Sequence, residues 1–276
     1  MLELVRRLRH GPLRHWSPLW IFLGRIYRWF IGFTGAGSGV SMRIGPYGPF
    51  KFDPHFTFSD FSNFGQGKNG GLTRCVELST DAQCVLDIGA HIGLVSMSVS
   101  GVLAPSGRVY SFEPGDENRK FLQTHVDLNH IGNIDVLGLV VSDENLDEIE
   151  FFVQTGDSPM NSLAVRGDGG SYKSTMKQQI NLDGFCSERG LSPDVIKIDV
   201  EGAEIKVLQG AKETIGKHQP ALVLSVHREE IRELGGSLEE LMALIRGLGY
   251  EVFDCDNNRV LEIDTNEYIL VPRPAN

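Results

Sequence analysis

Short apolar runs alternate with amphipathic stretches along this chain from Cys84 onward, and few folds accommodate such a pattern. The runs have the length and composition of buried strands, and the stretches between them carry apolar residues at helical spacing. Strand–helix–strand units of this kind build a parallel sheet that helices cover on both faces. We therefore predict one doubly wound α/β domain with seven main strands, whose sequences are CVLDI, RVYSF, NIDVLGLVV, VIKIDV, ALVLSVH, YEVFD and EYILVP.

Shorter elements complete this prediction. The run EIEFFV is predicted to continue the third strand in the antiparallel direction, KQQINL to add another strand, and AEIKVLQGAKETI to form a single helix. Turn residues surround a predicted hairpin at residues 40–53. The chain is thereby divided into a basic, aromatic N-terminal extension (1–39), a hairpin and Gly-rich lead-in (40–74), and the main domain (75–276).

The formal net charge of −10 is unevenly distributed. Residues 1–34 hold six Arg and one Glu, whereas the remaining 242 residues hold 20 Lys and Arg against 35 Asp and Glu. An acidic body of this kind does not suit a nucleic-acid backbone, so we expect no nucleic-acid partner. The four cysteines are scattered without a C-x-x-C pair, which argues against a disulfide scaffold or zinc ribbon and favours a reduced, cytoplasmic protein.

The N-terminal segment 1–34 interleaves its arginines with tryptophan and other aromatic residues. Arg25 and Arg28 interrupt its apolar stretch, and each charge near a bilayer centre costs about 3 kcal/mol on insertion scales, so a membrane span is not expected. Two alternatives stay open. The segment is an amphipathic helix at the inner membrane face, or a helix that packs on the main domain or on a partner.

A glycine-rich turn, GAHIG, follows the first predicted strand. Gly89 and Gly93 permit close approach of a ligand, and the helix that begins there offers free N–H groups to an anion. Glu113 ends the second strand, where a carboxylate accepts hydrogen bonds from ribose hydroxyls. A dinucleotide fingerprint has Gly where His91 stands, so a nucleoside with a smaller anionic tail, such as S-adenosylmethionine, suits this turn better.

Four motifs resemble, in this order, those of the FkbM family of S-adenosylmethionine-dependent methyltransferases: VLDIGAHIG, VYSFEP, LVVSD and VIKIDVEGAEIKVLQGA. The resemblance implies a class I methyltransferase sheet, Rossmann-like and mostly parallel with a reversed last strand. It also implies O-methylation of a hydroxyl on a sugar, polyketide or lipid-linked glycan. His91 stands where the family usually carries Asn; because imidazole still donates one hydrogen bond, we expect altered cofactor contacts rather than lost binding.

Candidate cofactor-binding residues lie in and around these motifs. A carboxylate at the end of the first strand would orient the loop or receive the cofactor's amino group, or alternatively cap loop amides. The residues after the third strand would flank the adenine through backbone groups. The predicted set is Asp87, Gly89, His91, Gly93, Glu113, Val141 and Ser142.

Candidate catalytic residues follow the fourth and fifth strands. Asp199 and Glu201 alternate, so both side chains would leave one face of an extended strand. His227 ends the next strand, and an imidazole with a pKa near 6.5 takes up a hydroxyl proton at neutral pH. We predict that these three residues hold or deprotonate the acceptor. Helix capping by the acids, a core histidine and an ion pair between Lys197 and Asp199 are the alternatives.

The same three side chains are potential metal ligands, but nothing in the sequence fixes their geometry and Mg²⁺ prefers all-oxygen shells. We therefore assign no metal site from the sequence. Two other functions stay open: a nicotinamide-dependent oxidoreductase, against which His91 counts, and a non-catalytic scaffold with a methyltransferase fold. The expected acceptor is a small molecule, glycan or lipid-linked glycan selected by the Gly-rich loops 54–71 and 154–174.

Overall fold

The structure, a computed structural model, describes residues 39–67, 70–154, 161–162 and 172–274. Strands in these residues are β1 (Val40–Ile44), β2 (Tyr47–Phe52), β3 (Cys84–Ile88), β4 (Arg108–Phe112), β5 (Ile134–Leu137), β6 (Val140–Val141), β7 (Leu146–Gln154), β8 (Asn161–Ser162), β9 (Tyr172–Ile180), β10 (Val195–Ile198), β11 (Ala221–Val226), β12 (Tyr250–Asp254), β13 (Arg259–Val260) and β14 (Asn266–Pro272). The helices are α1 (Gly71–Leu78), α2 (Leu94–Ser100), α3 (Asp116–Leu128), α4 (Leu182–Arg189), α5 (Glu204–Gln209), α6 (Lys212–His218), α7 (Arg228–Glu233) and α8 (Leu238–Gly247).

The central sheet has eight strands in the spatial order β13-β12-β14-β11-β10-β3-β4-β5. Strands β11, β10, β3, β4 and β5 run parallel to one another. Strand β14 is inserted between β11 and β12 and is antiparallel to both. The predicted α/β sheet, mostly parallel with a reversed last strand, is therefore confirmed.

Apolar side chains are buried on both faces of this sheet. In β3 the side chain of Val85 belongs to one buried cluster and that of Leu86 to the other, and all five residues of the strand are buried. The same division separates Val195 from Ile196 in β10. Helices therefore cover both faces, which explains why the strand sequences are continuously apolar rather than alternating.

The third predicted strand, NIDVLGLVV, is divided into two strands that belong to different sheets. Strand β5 pairs with β4, whereas β6 pairs with β9 in a second sheet of order β6-β9-β7-β8. The division falls at Gly138, where an added Cβ would lie 2.4 Å from Nη1 of Arg119, so the α3 guanidinium packs across the backbone there. EIEFFV does form a strand, but it pairs with β9 in the second sheet rather than continuing the third strand.

The single helix predicted after the fourth strand is broken into α5 and α6. The break lies at Gly210, where an added Cβ would be 2.0 Å from the carbonyl oxygen of Ser142. The carbonyl of Gly210 also accepts a hydrogen bond of ordinary length, 3.0 Å, from the N–H of Asp183. The helix is therefore interrupted at Gly210 because two other backbone segments pack closely against this residue.

The predicted N-terminal hairpin is confirmed as β1 and β2, and it is attached to α3. The side-chain amide of Asn129 bonds both to the N–H and to the carbonyl of Lys51, each at 2.8 Å. The Phe52 ring is fully buried and meets the ring of His125 with 4.8 Å between centroids. The hairpin thus shares the core of the α/β fold.

We predict that Gly210→Ala lowers the free energy of unfolding by about 2 kcal/mol, because the new methyl group must displace the backbone of Ser142. Gly216→Ala is the matched control: it lies within α6, has no atom within 4 Å of the added Cβ, and should raise stability by about 0.5–1 kcal/mol. Urea unfolding of both variants measures the difference. Equal effects of the two substitutions would contradict the packing described here.

Candidate active site

A cavity of about 310 Å³ lies at the carboxyl ends of β3, β4 and β10. The strand order reverses between β3 and β10, and parallel sheets bind their ligands in the crevice at such a switch point. This volume falls within the range of small-molecule pockets. The residues predicted from the sequence that line the cavity are Gly89, His91, Glu113, Val141, Asp199 and Glu201.

The glycine-rich turn is held close to the backbone of β10. Gly89 has φ +84°, and a Cβ there would lie 1.8 Å from the carbonyl oxygen of Asp199, so only glycine fits. Gly93 has φ +91° and begins α2, with Leu122 of α3 packed against its Cα. Gly93 itself does not line the cavity, so its contribution is to the position of the turn and of α2.

Glu113 is the buried carboxylate of the cavity, only 3% exposed. One oxygen accepts a hydrogen bond from the N–H of His91 and the other from the N–H of Gly115, both at 2.8 Å. These bonds join the end of β4 to the glycine-rich turn. A carboxylate has about four acceptor sites, so a ligand can bond to Glu113 in addition to these two N–H groups.

Asp87 and Ser142 lie beside the cavity rather than in its wall. Asp87 is buried and accepts a hydrogen bond from the hydroxyl of Ser96, and burial raises the pKa of this carboxyl to about 6. The N–H of Ser142 donates to the carbonyl of Ile180 at 2.9 Å and is therefore already used within the protein. The hydrogen bonds described for Asp87 and Ser142 are therefore made to other parts of the protein next to the cavity.

Sequence reasoning missed several residues of the wall. Asn118 lines the cavity; it is 3% exposed, and its Nδ2 has no hydrogen-bond partner among the described residues. The sequence signal that could have identified Asn118 is its position in the first turn of α3, the helix that follows Glu113. Phe64 and Phe151 contribute apolar wall from the lead-in loop and from the second sheet, which no local pattern relates to β3.

Asp199, Glu201 and His227 are brought together as predicted for the ends of neighbouring parallel strands. The Nε2 atom of His227 lies 3.5 Å from Oδ1 of Asp199 and 3.9 Å from Oε2 of Glu201. The predicted alternation of Asp199 and Glu201 requires the chain after β10 to stay extended. It does not, because Glu201 has φ +53° and Gly202 φ +109°. The chain turns there, and both carboxylates still face the cavity.

His227 is oriented by Glu204, the first residue of α5. Nδ1 of His227 lies 2.7 Å from Oε1 of Glu204, whose side chain is fully buried. Burial would lower the pKa of His227, but the hydrogen bond to Glu204 and the carboxylates of Glu201 and Asp199 outweigh it and raise this pKa to about 9. The imidazole is thus more basic than the value of 6.5 assumed from the sequence. Glu204 is not among the site residues predicted from the sequence.

Lys197 fixes the other side of Asp199. Its Nζ lies 3.1 Å from Oδ2 of Asp199, 2.6 Å from Oγ of Ser225 and 3.8 Å from Oε1 of Glu267, and its side chain is only 2% exposed. Burial opposes ionisation of Asp199, but Lys197 and His227 outweigh it and hold the pKa of this carboxyl below its usual value. The predicted alternative of an ion pair is therefore present alongside the cavity-facing position.

This topology, with its switch-point cavity, glycine-rich turn and strand-end acid, defines a class I methyltransferase fold. The family model described as the Methyltransferase FkbM domain matches residues 87–252, more than half of the chain. The chain therefore belongs to the FkbM methyltransferase family.

Two curated relatives are similar to parts of the chain. The 2-O-methyltransferase NoeI of Sinorhizobium fredii is 31% identical over 151 residues, which cover 48% of this chain and 59% of NoeI. The AMB antimetabolite synthetase AmbE of Pseudomonas aeruginosa is 27% identical over 203 residues, covering 61% of this chain and 9% of AmbE. The chain thus spans less than two thirds of either relative. A solved structure of Methyltransferase FkbM from Methylobacillus flagellatus is 22% identical with a TM-score of 0.46, covering 70% of this chain and 44% of its own.

We predict that Asp87 makes stability fall as pH rises from about 4 to about 6. Its folded-state pKa of about 6 lies above the ordinary 3.8, so the folded protein binds this proton more tightly and is penalised once the buried carboxyl ionises. The Asp87→Asn variant lacks this penalty. Its stability relative to the natural chain should rise by about 3 kcal/mol between pH 4 and pH 7, measured by urea unfolding. A difference that does not change with pH would contradict the prediction.

Proposed function

We propose that this chain is an S-adenosylmethionine-dependent O-methyltransferase that acts on a hydroxyl of a sugar, glycan, polyketide or lipid-linked acceptor. The observation that carries the proposal is the buried carboxylate of Glu113, bonded to the glycine-rich turn and facing Asp199 and Glu201 across one cavity. Family membership supports methyl transfer. The name of the relative NoeI, a 2-O-methyltransferase, supports oxygen as the methylated atom.

The residues of the cavity fit S-adenosylmethionine. Glu113 offers lone pairs to the two ribose hydroxyls, as strand-end acids do in nucleoside-binding sheets. Asn118 presents a buried amide donor whose hydrogen bond is unmade within the described protein, and a ligand acceptor atom would satisfy it. Leu139, Val141 and Phe151 supply an apolar surface suited to an adenine ring.

When bound, S-adenosylmethionine supplies an electrophilic methyl group to the acceptor oxygen, and S-adenosylhomocysteine is the product. The protein's part is to place that oxygen and to take its proton. Asp199 lines the cavity and is the group that accepts the hydroxyl proton. His227 contacts Asp199 but does not line the cavity, so it acts as a positioning residue. A carboxylate is basic enough, because an alcohol oxygen becomes strongly acidic as it gains the methyl group.

We propose that the loops 54–71 and 154–174 select the acceptor, because each loop contains or follows a segment that lines the cavity. Phe64 of the first loop already lines the cavity. The second loop follows β7, whose Phe151 contributes to the same wall. Much of the second loop lies outside the described residues.

We also propose a peripheral membrane contact through residues 1–34, based on their six Arg, single Glu and interleaved aromatic residues. This segment lies outside the described residues. No helix among the residues that are described is long and apolar enough to cross a bilayer. Deletion of residues 1–34 should abolish co-sedimentation with anionic liposomes, and unchanged sedimentation would refute the proposal.

We predict that Glu113→Gln weakens S-adenosylmethionine binding at least about 10-fold, because an amide accepts fewer hydrogen bonds than a carboxylate. Calorimetric titration measures the dissociation constant. Glu117→Gln, an exposed charge in the first turn of α3, is the matched control and should bind like the natural chain.

Asn118→Leu extends the same test. It removes an unsatisfied buried donor, so stability should be kept or raised while cofactor affinity falls. Undiminished binding in both the Glu113 and Asn118 variants would contradict the proposed cofactor site.

We predict that Asp199→Asn lowers the rate of methyl transfer at least about 100-fold, because the variant has no carboxylate to accept the hydroxyl proton. Release of S-adenosylhomocysteine with the best acceptor from a panel of sugars and lipid-linked glycans measures the rate. Cofactor affinity should change by less than about threefold, which shows that the fold is retained. A rate equal to that of the natural chain would exclude Asp199 as the proton acceptor.

A further inference from the structure

The cluster of Asp199, Glu201 and His227 has the dimensions of a metal site. One ligand atom from each residue lies within 4.8 Å of the other two, and none of the three residues is fully exposed. Ligand atoms about 2.1 Å from one ion lie about 3.0–3.4 Å apart in octahedral or tetrahedral geometry. The separations of 3.5 and 3.9 Å from Nε2 of His227 are about 0.1 and 0.5 Å longer than the upper end of this range. Small side-chain movements would therefore complete the coordination.

A second observation concerns the orientation of the imidazole. Metal-bound histidines nearly always donate their other ring N–H to a carboxylate or carbonyl, which fixes the tautomer and directs the free nitrogen to the ion. Glu204 occupies that position here, 2.7 Å from Nδ1 of His227 and fully buried. Nε2 is consequently directed toward the carboxylates of Asp199 and Glu201.

A third observation concerns the buried carboxylate of Glu204. The second oxygen of Glu204 has no hydrogen-bond partner in the part of the chain that the structure describes. An incompletely satisfied buried carboxylate is costly unless positive charge lies close by. The carboxylates of Asp199, Glu201 and Glu204 surround the imidazole of His227, and a divalent ion would displace the proton on Nε2 and supply the balancing charge in its place.

From these contacts we infer that Asp199, Glu201 and His227 bind a divalent transition-metal ion that holds the acceptor hydroxyl. Asp199 and Glu201 line the cofactor cavity, so the open coordination positions of the ion would face the acceptor. A coordinated hydroxyl would lose its proton to the carboxylate of Asp199 more easily, and the ion would also fix the direction of attack. The inference rests on the proposed function for its role, but the binding site itself does not depend on it.

The donor set indicates which ions to expect. Two carboxylate oxygens and one imidazole nitrogen suit Mn²⁺, Fe²⁺ and Zn²⁺, whereas Mg²⁺ prefers oxygen ligands alone. Three protein ligands with the remaining positions open are typical of catalytic rather than structural metal centres. We therefore expect Mn²⁺ and Zn²⁺ to bind more tightly than Mg²⁺.

The test is titration of the full chain, after chelator treatment, with Mn²⁺ followed by the electron paramagnetic resonance signal of the free ion. One equivalent should bind, with Zn²⁺ displacing it. Asp199→Asn and His227→Gln should each weaken binding at least about 10-fold, and Glu204→Gln by about 10-fold. Glu229→Gln is the matched control, because it removes an exposed charge two residues from His227 without removing a ligand.

Calorimetric titration of the same samples with S-adenosylmethionine separates the two proposals. Cofactor affinity unchanged in the ligand variants shows that they are folded. Cofactor binding without Mn²⁺ or Zn²⁺ binding, or metal binding that the His227 and Asp199 substitutions leave intact, overturns the metal site alone. Metal binding without cofactor binding overturns the proposed function and leaves the metal site standing.

Discussion

The contact between Gly89 and the backbone of Asp199 is the constraint from which the site follows. A Cβ added at Gly89 would lie 1.8 Å from the carbonyl oxygen of Asp199, so no side chain fits at this position. The glycine-rich turn therefore packs directly against the end of β10. The N–H of Asp199 meanwhile donates to the carbonyl of Ile88 at 2.9 Å. Glu113 is tied to the same turn through His91. Glu113, the glycine-rich turn and the backbone of Asp199 are thus parts of one junction at the switch point.

Buried charge gives this junction its chemical character. Lys197 on one side of Asp199 and His227 on the other hold the carboxylate between two cationic groups. Glu267 links Lys197 to α1 by accepting from the N–H of Gly71 at 2.8 Å. Such networks contribute little net stability, because desolvation offsets the Coulombic gain, but they fix side-chain positions closely. Fixed positions of this kind are what the proposed placement of an acceptor oxygen requires.

Much of the architecture could be predicted, because period, turn residues and strand-end position are local properties of the sequence. The parallel sheet and the meeting of Asp199 with His227 follow from the order of the strands, whereas the reversed last strand was implied only by the resemblance to the FkbM family. The breaks at Gly138 and Gly210 could not be predicted, because each depends on a segment distant in sequence that packs against the glycine. The role of Glu204 could not be predicted for the same reason, because its partner His227 lies 23 residues further along the chain, after β11. The proposed domain division and the roles of the site residues stay predictions.

The most direct measurement is a crystal structure of the chain grown with S-adenosylhomocysteine. In that structure the ribose hydroxyls should bond to the carboxylate of Glu113, the adenine should lie against Val141, and the sulfur should face Asp199. A nucleoside bound outside the switch-point cavity, or one whose ribose makes no contact with Glu113, would contradict it.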